Sequence, residues 1–191
     1  CLFRLQEYQK AIVAYKKALA LSPKHTGILT NLGAAYQQLS NWEEAIGAYK
    51  GVLAQAPADR NALNNLGVIE LERNNLQKAE ELFSEVIEID SNWPEAYMNL
   101  GIVQRFLGKY ADSKASYQKV IQLSPDNPAA HLNLGMAHLG LGEFKQGWRE
   151  YLWRVHSERT ISSKFEVPLW DGSEQGSKRL LVHAEQGLGD T

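Results

Sequence analysis

Four copies of one tripeptide divide the sequence at a constant interval. "NLGAAYQQL" at 31–39 returns as "NLGVIELER" at 65–73, "NLGIVQRFL" at 99–107 and "NLGMAHLGL" at 133–141. Each copy begins 34 residues after the previous one. A period of this length predicts one small structural unit per repeat, which buries its apolar face by stacking on its neighbours in a solenoid.

Other positions repeat with the same 34-residue period when the Leu–Gly pair is numbered 7 and 8. Position 20 is always small (Ala11, Ala45, Ala79, Ser113, Gly147), and position 24 is always aromatic (Tyr15, Tyr49, Phe83, Tyr117, Tyr151). Leu63, Leu66, Gly67 and Glu70 recur at helical spacing and share one face. Each repeat is therefore predicted to hold two helices, with turns at Ser40–Asn41, Asn74–Asn75, Gly108–Lys109 and Gly142–Glu143, and with prolines 23, 57 and 125 ending the second helices.

This pattern resembles the tetratricopeptide repeat (TPR) family over about residues 1–157. The resemblance implies an all-α, right-handed solenoid of one partial and four full repeats, with an irregular C-terminal extension. The last repeat has Arg154 at position 27, where others have Val, and lacks the proline, so its second helix is expected to continue towards Ser157. Cys1 falls at position 10, so we expect the chain to begin inside a repeat and not at a lipoprotein cysteine.

Composition narrows the classes of function. The formal net charge is −2, which gives no reason to expect a nucleic-acid or anionic-membrane partner. No apolar run reaches the roughly 18 residues that a membrane-spanning helix needs. One cysteine excludes an intramolecular disulfide and a cysteine zinc cluster. It is compatible with a reducing compartment, so the cytoplasm is the expected location.

No catalytic constellation occurs within residues 1–157, and no cofactor is expected. His131 and His138 lie seven residues apart on one predicted helix face, but they occupy packing positions 4 and 11 without a third ligand, so no metal site is predicted. The aromatic residues at position 24 are interpreted as core residues, not as a binding stripe.

The asparagine at position 6 points to a function. On a helical wheel, positions 4, 7, 8 and 11 cluster on one side, and position 6 lies nearly opposite with positions 2, 9 and 13. Asn31, Asn65, Asn99 and Asn133 are therefore predicted to form a ladder along the concave groove. Asparagine is a poor helix former, and its amide carries a donor and an acceptor, as a peptide group does. Inheritance from a duplicated repeat is the alternative explanation.

The N-L-G register resembles the N-L-A register in the repeats of O-linked N-acetylglucosamine transferase. That resemblance implies that the four Asn side chains hold the main chain of a bound protein segment. A carboxylate clamp would need Lys, Arg or Asn at positions 5 and 9, and most of those positions here are apolar. The residues at position 9 include Val68, Ile102 and Met136, which with Phe106 predict an apolar groove floor in the later repeats.

The period ends near Ser157. Residues 158–178 are predicted to be an irregular linker, and residues 179–191 a truncated start of an α/β domain. "GWREYLWR", "PLWDGS" and "LLVHAEQGLGDT" together resemble bacterial TPR proteins with a C-terminal glycosyltransferase-like domain. The resemblance implies that Gly187, Gly189 and Asp190 belong to a substrate loop, whereas most of such a domain would lie beyond Thr191. Enzymatic activity of a parent protein therefore stays open, and none is expected from these residues.

The expected function is a protein-interaction scaffold that binds an extended peptide in its groove, as the targeting arm of a glycosyltransferase-like protein. One candidate peptide is the chain's own segment 160–178. The alternative is a structural protein that associates end to end through Leu2, Phe3 and Leu5, which would form a homo-oligomer.

Overall fold

The computed structural model describes residues 2–153, with side chains from residue 6 onwards. This part of the chain contains α-helices and no strand. The helices are α1 (Leu2–Leu21), α2 (Thr26–Gln38), α3 (Trp42–Leu53), α4 (Arg60–Glu72), α5 (Leu76–Ile89), α6 (Pro94–Phe106), α7 (Tyr110–Leu123), α8 (Pro128–Gly140) and α9 (Phe144–Tyr151). The expectation of an all-α repeat fold is confirmed.

The helices stack in two layers. Each helix packs on the next one along the chain, and α2–α3, α4–α5, α6–α7 and α8–α9 form the four hairpins of the full repeats. The first helices of neighbouring hairpins also contact each other directly, α2 with α4, α4 with α6 and α6 with α8. These even-numbered helices therefore form the inner layer of the array.

The four predicted turns are confirmed, and each has a left-handed residue at position 15. The φ angles are 57° at Ser40, 61° at Asn74, 74° at Gly108 and 76° at Gly142. The next residue donates its backbone N–H back to the first helix; for example, Asn41 N contacts Tyr36 O at 3.0 Å. This six-residue closure satisfies a free carbonyl at the helix end and turns the chain into the second helix.

In the α2–α3, α4–α5 and α6–α7 hairpins, the glycine at position 8 and the aromatic ring at position 24 form the crossing point, whereas Gly135 of the α8–α9 hairpin faces the backbone of Gly147 and Tyr151. A Cβ built on Gly67 would lie 2.6 Å from Phe83 Cε1, and one on Gly101 would lie 2.6 Å from Tyr117 Cε1. Phe83 and Tyr117 are fully buried, and so is Ala79 at position 20. The interpretation of positions 8, 20 and 24 as core packing is therefore confirmed for the three inner hairpins, where a side chain at position 8 would push the two helices apart, while Tyr15 and Tyr151 at the ends are partly buried.

The second helices end before the predicted prolines. Helix α1 ends two residues before Pro23, and α3 ends four residues before Pro57. The next first helices begin with capping side chains: Asp59 Oδ1 accepts from Ala62 N at 2.9 Å, and Asn127 Oδ1 accepts from Ala130 N at 3.0 Å. These contacts fix the start of α4 and α8.

Both ends of the array differ from the inner repeats. Helix α1 continues through Gln6, which occupies the turn position of its repeat, because glutamine favours helix and disfavours positive φ. Helix α9 ends at Tyr151, short of the expected Ser157, and residues 154–157 lie outside the described part of the chain. The chain turns there, with Trp153 N donating to Glu150 O, and the Trp153 ring stacks on His131 of α8 at 3.9 Å.

Candidate peptide-binding groove

The asparagines at position 6 lie outside the core, as the helical wheel predicts. Asn31 is exposed, and Asn65, Asn99 and Asn133 are partly buried. The leucines that directly follow them are all buried (Leu32, Leu66, Leu100, Leu134). The inner layer therefore presents one amide per repeat beside its buried leucine row.

Two of these asparagines contact the preceding repeat. Asn99 Nδ2 donates to Asn64 Oδ1 at 3.0 Å, and Asn133 Nδ2 lies 3.7 Å from Met98 Sδ. In both cases position 6 reaches position 5 of the repeat before it. Asn133 Nδ2 also donates to Ala129 O at 2.9 Å. The side-chain nitrogens thus tie the amides to the scaffold, while the carboxamide oxygens of Asn99 and Asn133 accept no hydrogen bond from the described residues.

The earlier two asparagines have no such tie. Within residues 6–153, the side chains of Asn31 and Asn65 make no hydrogen bond. Position 5 before Asn65 is Thr30, whose hydroxyl donates to Thr26 O of its own helix at 3.0 Å. Both groups of these two amides are therefore available to a ligand.

Apolar side chains accompany the ladder in the later repeats. Val68, Ile102 and Met136 at position 9 are all partly exposed. Val68 packs on the cluster of Phe83 and Leu100, and Ile102 packs on that of Tyr117 and Leu134. The inner surface therefore combines amides with an apolar strip.

A pocket of about 520 Å³ opens beside this strip, between the ends of α6 and α8 and the start of α7. Its lining residues are Arg105, Phe106, Tyr110, Met136, Leu139 and Gly140. The Phe106 side chain is 58% exposed, and the Arg105 guanidinium lies over its ring at 4.9 Å. Sequence reasoning missed Arg105; the available signal was a cation at position 12, where the other repeats have Gln37, Leu71 and Leu139.

Arg105 also borders the buried hydroxyl of Tyr117. Burial raises the pKa of Tyr117, and the neighbouring Ser113 hydroxyl and Arg105 guanidinium oppose that increase. Within residues 6–153, neither the buried Arg105 Nε nor the buried Tyr117 hydroxyl has a partner at hydrogen-bonding geometry. The guanidinium root of Arg105 thus lies buried at the wall of the pocket.

The two histidines of the last repeat have structural partners. His131 Nδ1 lies 2.6 Å from Glu150 Oε2, and its Nε2 lies 2.9 Å from Pro125 O. His138 Nδ1 contacts Glu143 Oε2. Each imidazole therefore joins parts of the α8–α9 hairpin. Within the described range, no group of three His, Cys, Asp or Glu side chains has the arrangement of a metal site.

The remaining expectations concern other parts of the chain. Gly187, Gly189, Asp190 and the linker at 158–178 lie outside the described residues, as do the side chains of Leu2, Phe3 and Leu5. No helix between residues 2 and 153 is long and apolar enough to span a membrane.

Comparisons with known proteins agree with this geometry. Two family models, described as tetratricopeptide repeat and TPR repeat, match residues 30–96 and residues 2–40 and 105–142, respectively. No curated protein matches the chain.

Solved structures share the fold. The crystal structure of MamA superposes with a TM-score of 0.73 at 24% identity, covering 84% of this chain and 93% of MamA. The structure of Pseudomonas aeruginosa pilF gives a TM-score of 0.73 at 21% identity, covering 83% and 72%. A tetratricopeptide repeat protein from Parabacteroides merdae gives 0.68 at 22% identity, covering 81% and 60%.

The described helices thus define a class: a solenoid of helix–turn–helix repeats with an open inner surface. Together with the family matches, which cover residues 2–96 and 105–142 between them, this architecture shows that the chain is built of tetratricopeptide repeats. Proteins with such repeats generally act as protein-interaction scaffolds.

Proposed function

We propose that the inner surface binds an extended segment of a partner protein through its main chain, with the asparagine ladder as the principal contact. The observation that carries this proposal is the position of Asn31, Asn65, Asn99 and Asn133, which face away from the core at one register in four consecutive repeats. Inheritance alone explains the repeated residue, but a binding role also explains why poor helix formers occupy an accessible inner row.

The amide chemistry suits a peptide backbone. The carboxamide oxygens of Asn99 and Asn133 are oriented by the hydrogen bonds of their own nitrogens, so they can accept peptide N–H groups. First helices in contact lie roughly 10 Å apart. An extended chain advances about 3.3 Å per residue, so it would meet one asparagine every three residues. Such binding reads the backbone and tolerates many sequences.

Selection from a library of random 12-residue peptides tests this function on the full chain. The double variant Asn31→Ala/Asn65→Ala is the sharpest one, because these amides have no partner whose loss would disturb the fold. Each amide–backbone hydrogen bond contributes about 0.5–1.5 kcal/mol, so the selected peptides should bind the variant about tenfold more weakly. Failure to select any binder, or equal affinity for both proteins, contradicts the proposal.

A narrower form of the proposal makes the array the targeting arm of a glycosyltransferase-like protein. It is supported by the N-L-G register and by the sequence around Gly187, Gly189 and Asp190. The parent reading frame should then continue with about 300 residues of alternating strand and helix pattern, and a stop codon after Thr191 would contradict it. The chain alone should not bind nucleotide sugars in calorimetry, and micromolar binding would overturn that expectation.

End-to-end association is the second candidate, and one surface favours it. Phe144, Trp148 and Leu152 follow one another at four-residue spacing along and just beyond α9, and their side chains are 64%, 59% and 62% exposed. A contact between unlike ends that does not close produces an open chain of molecules. Light scattering should show growth with concentration that Trp148→Glu abolishes; a concentration-independent monomer contradicts this candidate.

A further inference from the structure

We propose that the pocket beside the ladder, formed by Arg105, Phe106, Tyr110, Met136, Leu139 and Gly140, selects an acidic side chain that neighbours a large apolar one in the bound segment. This inference rests on the proposed peptide-binding function and adds its specificity. The expected ligand is a partner segment with an internal Glu or Asp next to Phe or Leu. The positive charge of Arg105 recognises the carboxylate, and the apolar wall of the pocket recognises the neighbouring side chain.

The charge of Arg105 is the first argument. Five basic side chains of the array have carboxylate partners at least eight residues away: Arg60 with Asp90, Arg73 with Glu43, Lys78 with Glu70, Lys109 with Glu80 and Lys114 with Glu143. Within residues 6–153, no carboxylate pairs with Arg105, whose Nε is buried without a partner. A partly buried cation without a counter-charge attracts an anion, and a guanidinium offers a carboxylate two parallel donors.

The wall of the pocket is the second argument. Phe106 is 58% exposed and lies beside Arg105, so a ligand that reaches the guanidinium also covers an aromatic ring. Met136 and Leu139 of α8 close the opposite side. At Gly140 a Cβ would lie 2.5 Å from Tyr110 Cδ1. The tyrosine ring can therefore pack against α8 only because residue 140 has no side chain. Aromatic rings and arginine are the residue types that dominate binding energy at protein interfaces.

The carboxylate must come from within the segment, not from its C-terminus. A terminal-carboxylate clamp would draw on positions 5 and 9, and the repeats around the pocket have Met98, Leu132, Ile102 and Met136 there. The ladder continues on both first helices that border the pocket, at Asn99 and Asn133. A segment that passes through the groove therefore crosses the pocket with its middle.

Two peptides with blocked ends test the inference on the full chain. The probe is acetyl-Ser-Gly-Ser-Phe-Glu-Leu-Ser-Gly-Ser-amide, and its partner has Gln in place of Glu. In fluorescence anisotropy, the Glu peptide should bind at least tenfold more tightly, which equals about 1.4 kcal/mol. Arg105→Gln should remove this difference, whereas Arg149→Gln on the exposed surface of α9 should keep it. Phe106→Ala should weaken the Glu peptide while circular dichroism shows unchanged helicity.

The outcomes separate this inference from the function on which it rests. Equal affinity for the Glu and Gln peptides, discrimination that survives Arg105→Gln, or no binding of either peptide overturns the pocket. Loss of library-peptide binding in Asn31→Ala/Asn65→Ala, without any Glu preference, leaves the ladder standing and overturns the pocket alone. If Arg105→Gln removes the Glu preference but Asn31→Ala/Asn65→Ala leaves peptide binding unchanged, the result contradicts the ladder instead.

Discussion

The side-chain amide of Asn99 on α6 donates a hydrogen bond to Asn64 Oδ1 on α4 at 3.0 Å. Asn64 is 3% exposed, and its own nitrogen lies 3.4 Å from Glu95 Oε1. A row of residues chosen by register for ligand binding thus also joins one repeat to the next. Replacement of Asn99 should therefore affect stability as well as the proposed peptide binding.

Asn99→Ala should therefore destabilise the fold relative to Asn31→Ala. Both replacements gain the same helix propensity, but only the first leaves a buried acceptor on Asn64 without its donor. The difference between the two variants should be about 0.5–1.5 kcal/mol in urea unfolding. Indistinguishable unfolding midpoints would show that the contact between the two amides contributes nothing to stability.

Gly101→Ala should cost about 1–3 kcal/mol, because the new Cβ would lie 2.6 Å from the buried ring of Tyr117. Gly47→Ala is the matched control: its site on α3 is exposed, and a Cβ there meets nothing within 4 Å. The control should gain about 0.5–1 kcal/mol from helix propensity. The two alanines should thus change the unfolding midpoint in opposite directions, and a shift in the same direction would contradict the packing argument.

These packing contacts were predictable because they occur within one period. Position 8 and position 24 are separated by a fixed hairpin, so a small residue at one and an aromatic at the other specify their contact, as at Gly67 and Phe83. The turn residues with positive φ were predictable for the same local reason. The wheel also placed the asparagines correctly outside the core.

Contacts between repeats were not predictable in the same way. The hydrogen bond from Asn99 to Asn64 joins residues 35 apart in the sequence. It forms only because position 5 of the previous repeat is an asparagine, and position 5 varies among the repeats. The pocket at Arg105 likewise depends on one cation that the repeat pattern does not contain. The stacking of Trp153 on His131, just past the end of α9, is likewise a contact that no helical periodicity encodes.

Glu70 should make the fold sensitive to acid. Burial acts to raise the pKa of its carboxyl, but hydrogen bonds from Lys78 Nζ at 2.6 Å and Asn75 Nδ2 at 2.7 Å, with the charges of Lys78 and Arg73, outweigh it and lower the pKa. A lowered folded-state pKa stabilises the protein above the ordinary value of 4.5, and this stability is lost as the pH falls through the folded-state value.

The variant Glu70→Gln isolates that contribution. At neutral pH it should lose about 1–2 kcal/mol, since Lys78 is itself largely exposed and its pairing is screened. Hydrogen bonds from Lys114 and His138 also lower the pKa of Glu143, so the useful quantity is the stability difference between wild type and variant across pH. That difference should shrink below pH 4.5, and a constant difference down to the acid limit would refute the role of Glu70.

Tyr49 should make the fold sensitive to alkali in the opposite sense. Its ring is fully buried against Gly33, its hydroxyl donates to Gln37 Oε1 at 3.3 Å, and burial raises its pKa to about 12. Stability from the neutral phenol is complete below the ordinary pKa of 10.0 and is lost as the pH rises towards 12.

Tyr49→Phe should lower the free energy of unfolding by about 0.5–1.5 kcal/mol at neutral pH, because the hydrogen bond is lost. Its unfolding midpoint should then approach that of the wild type between pH 10 and 12, whereas Tyr97→Phe, at a partly exposed position, should follow the wild type throughout. Parallel wild-type and Tyr49→Phe curves over this interval would mean that the phenol ionises without disturbing the core.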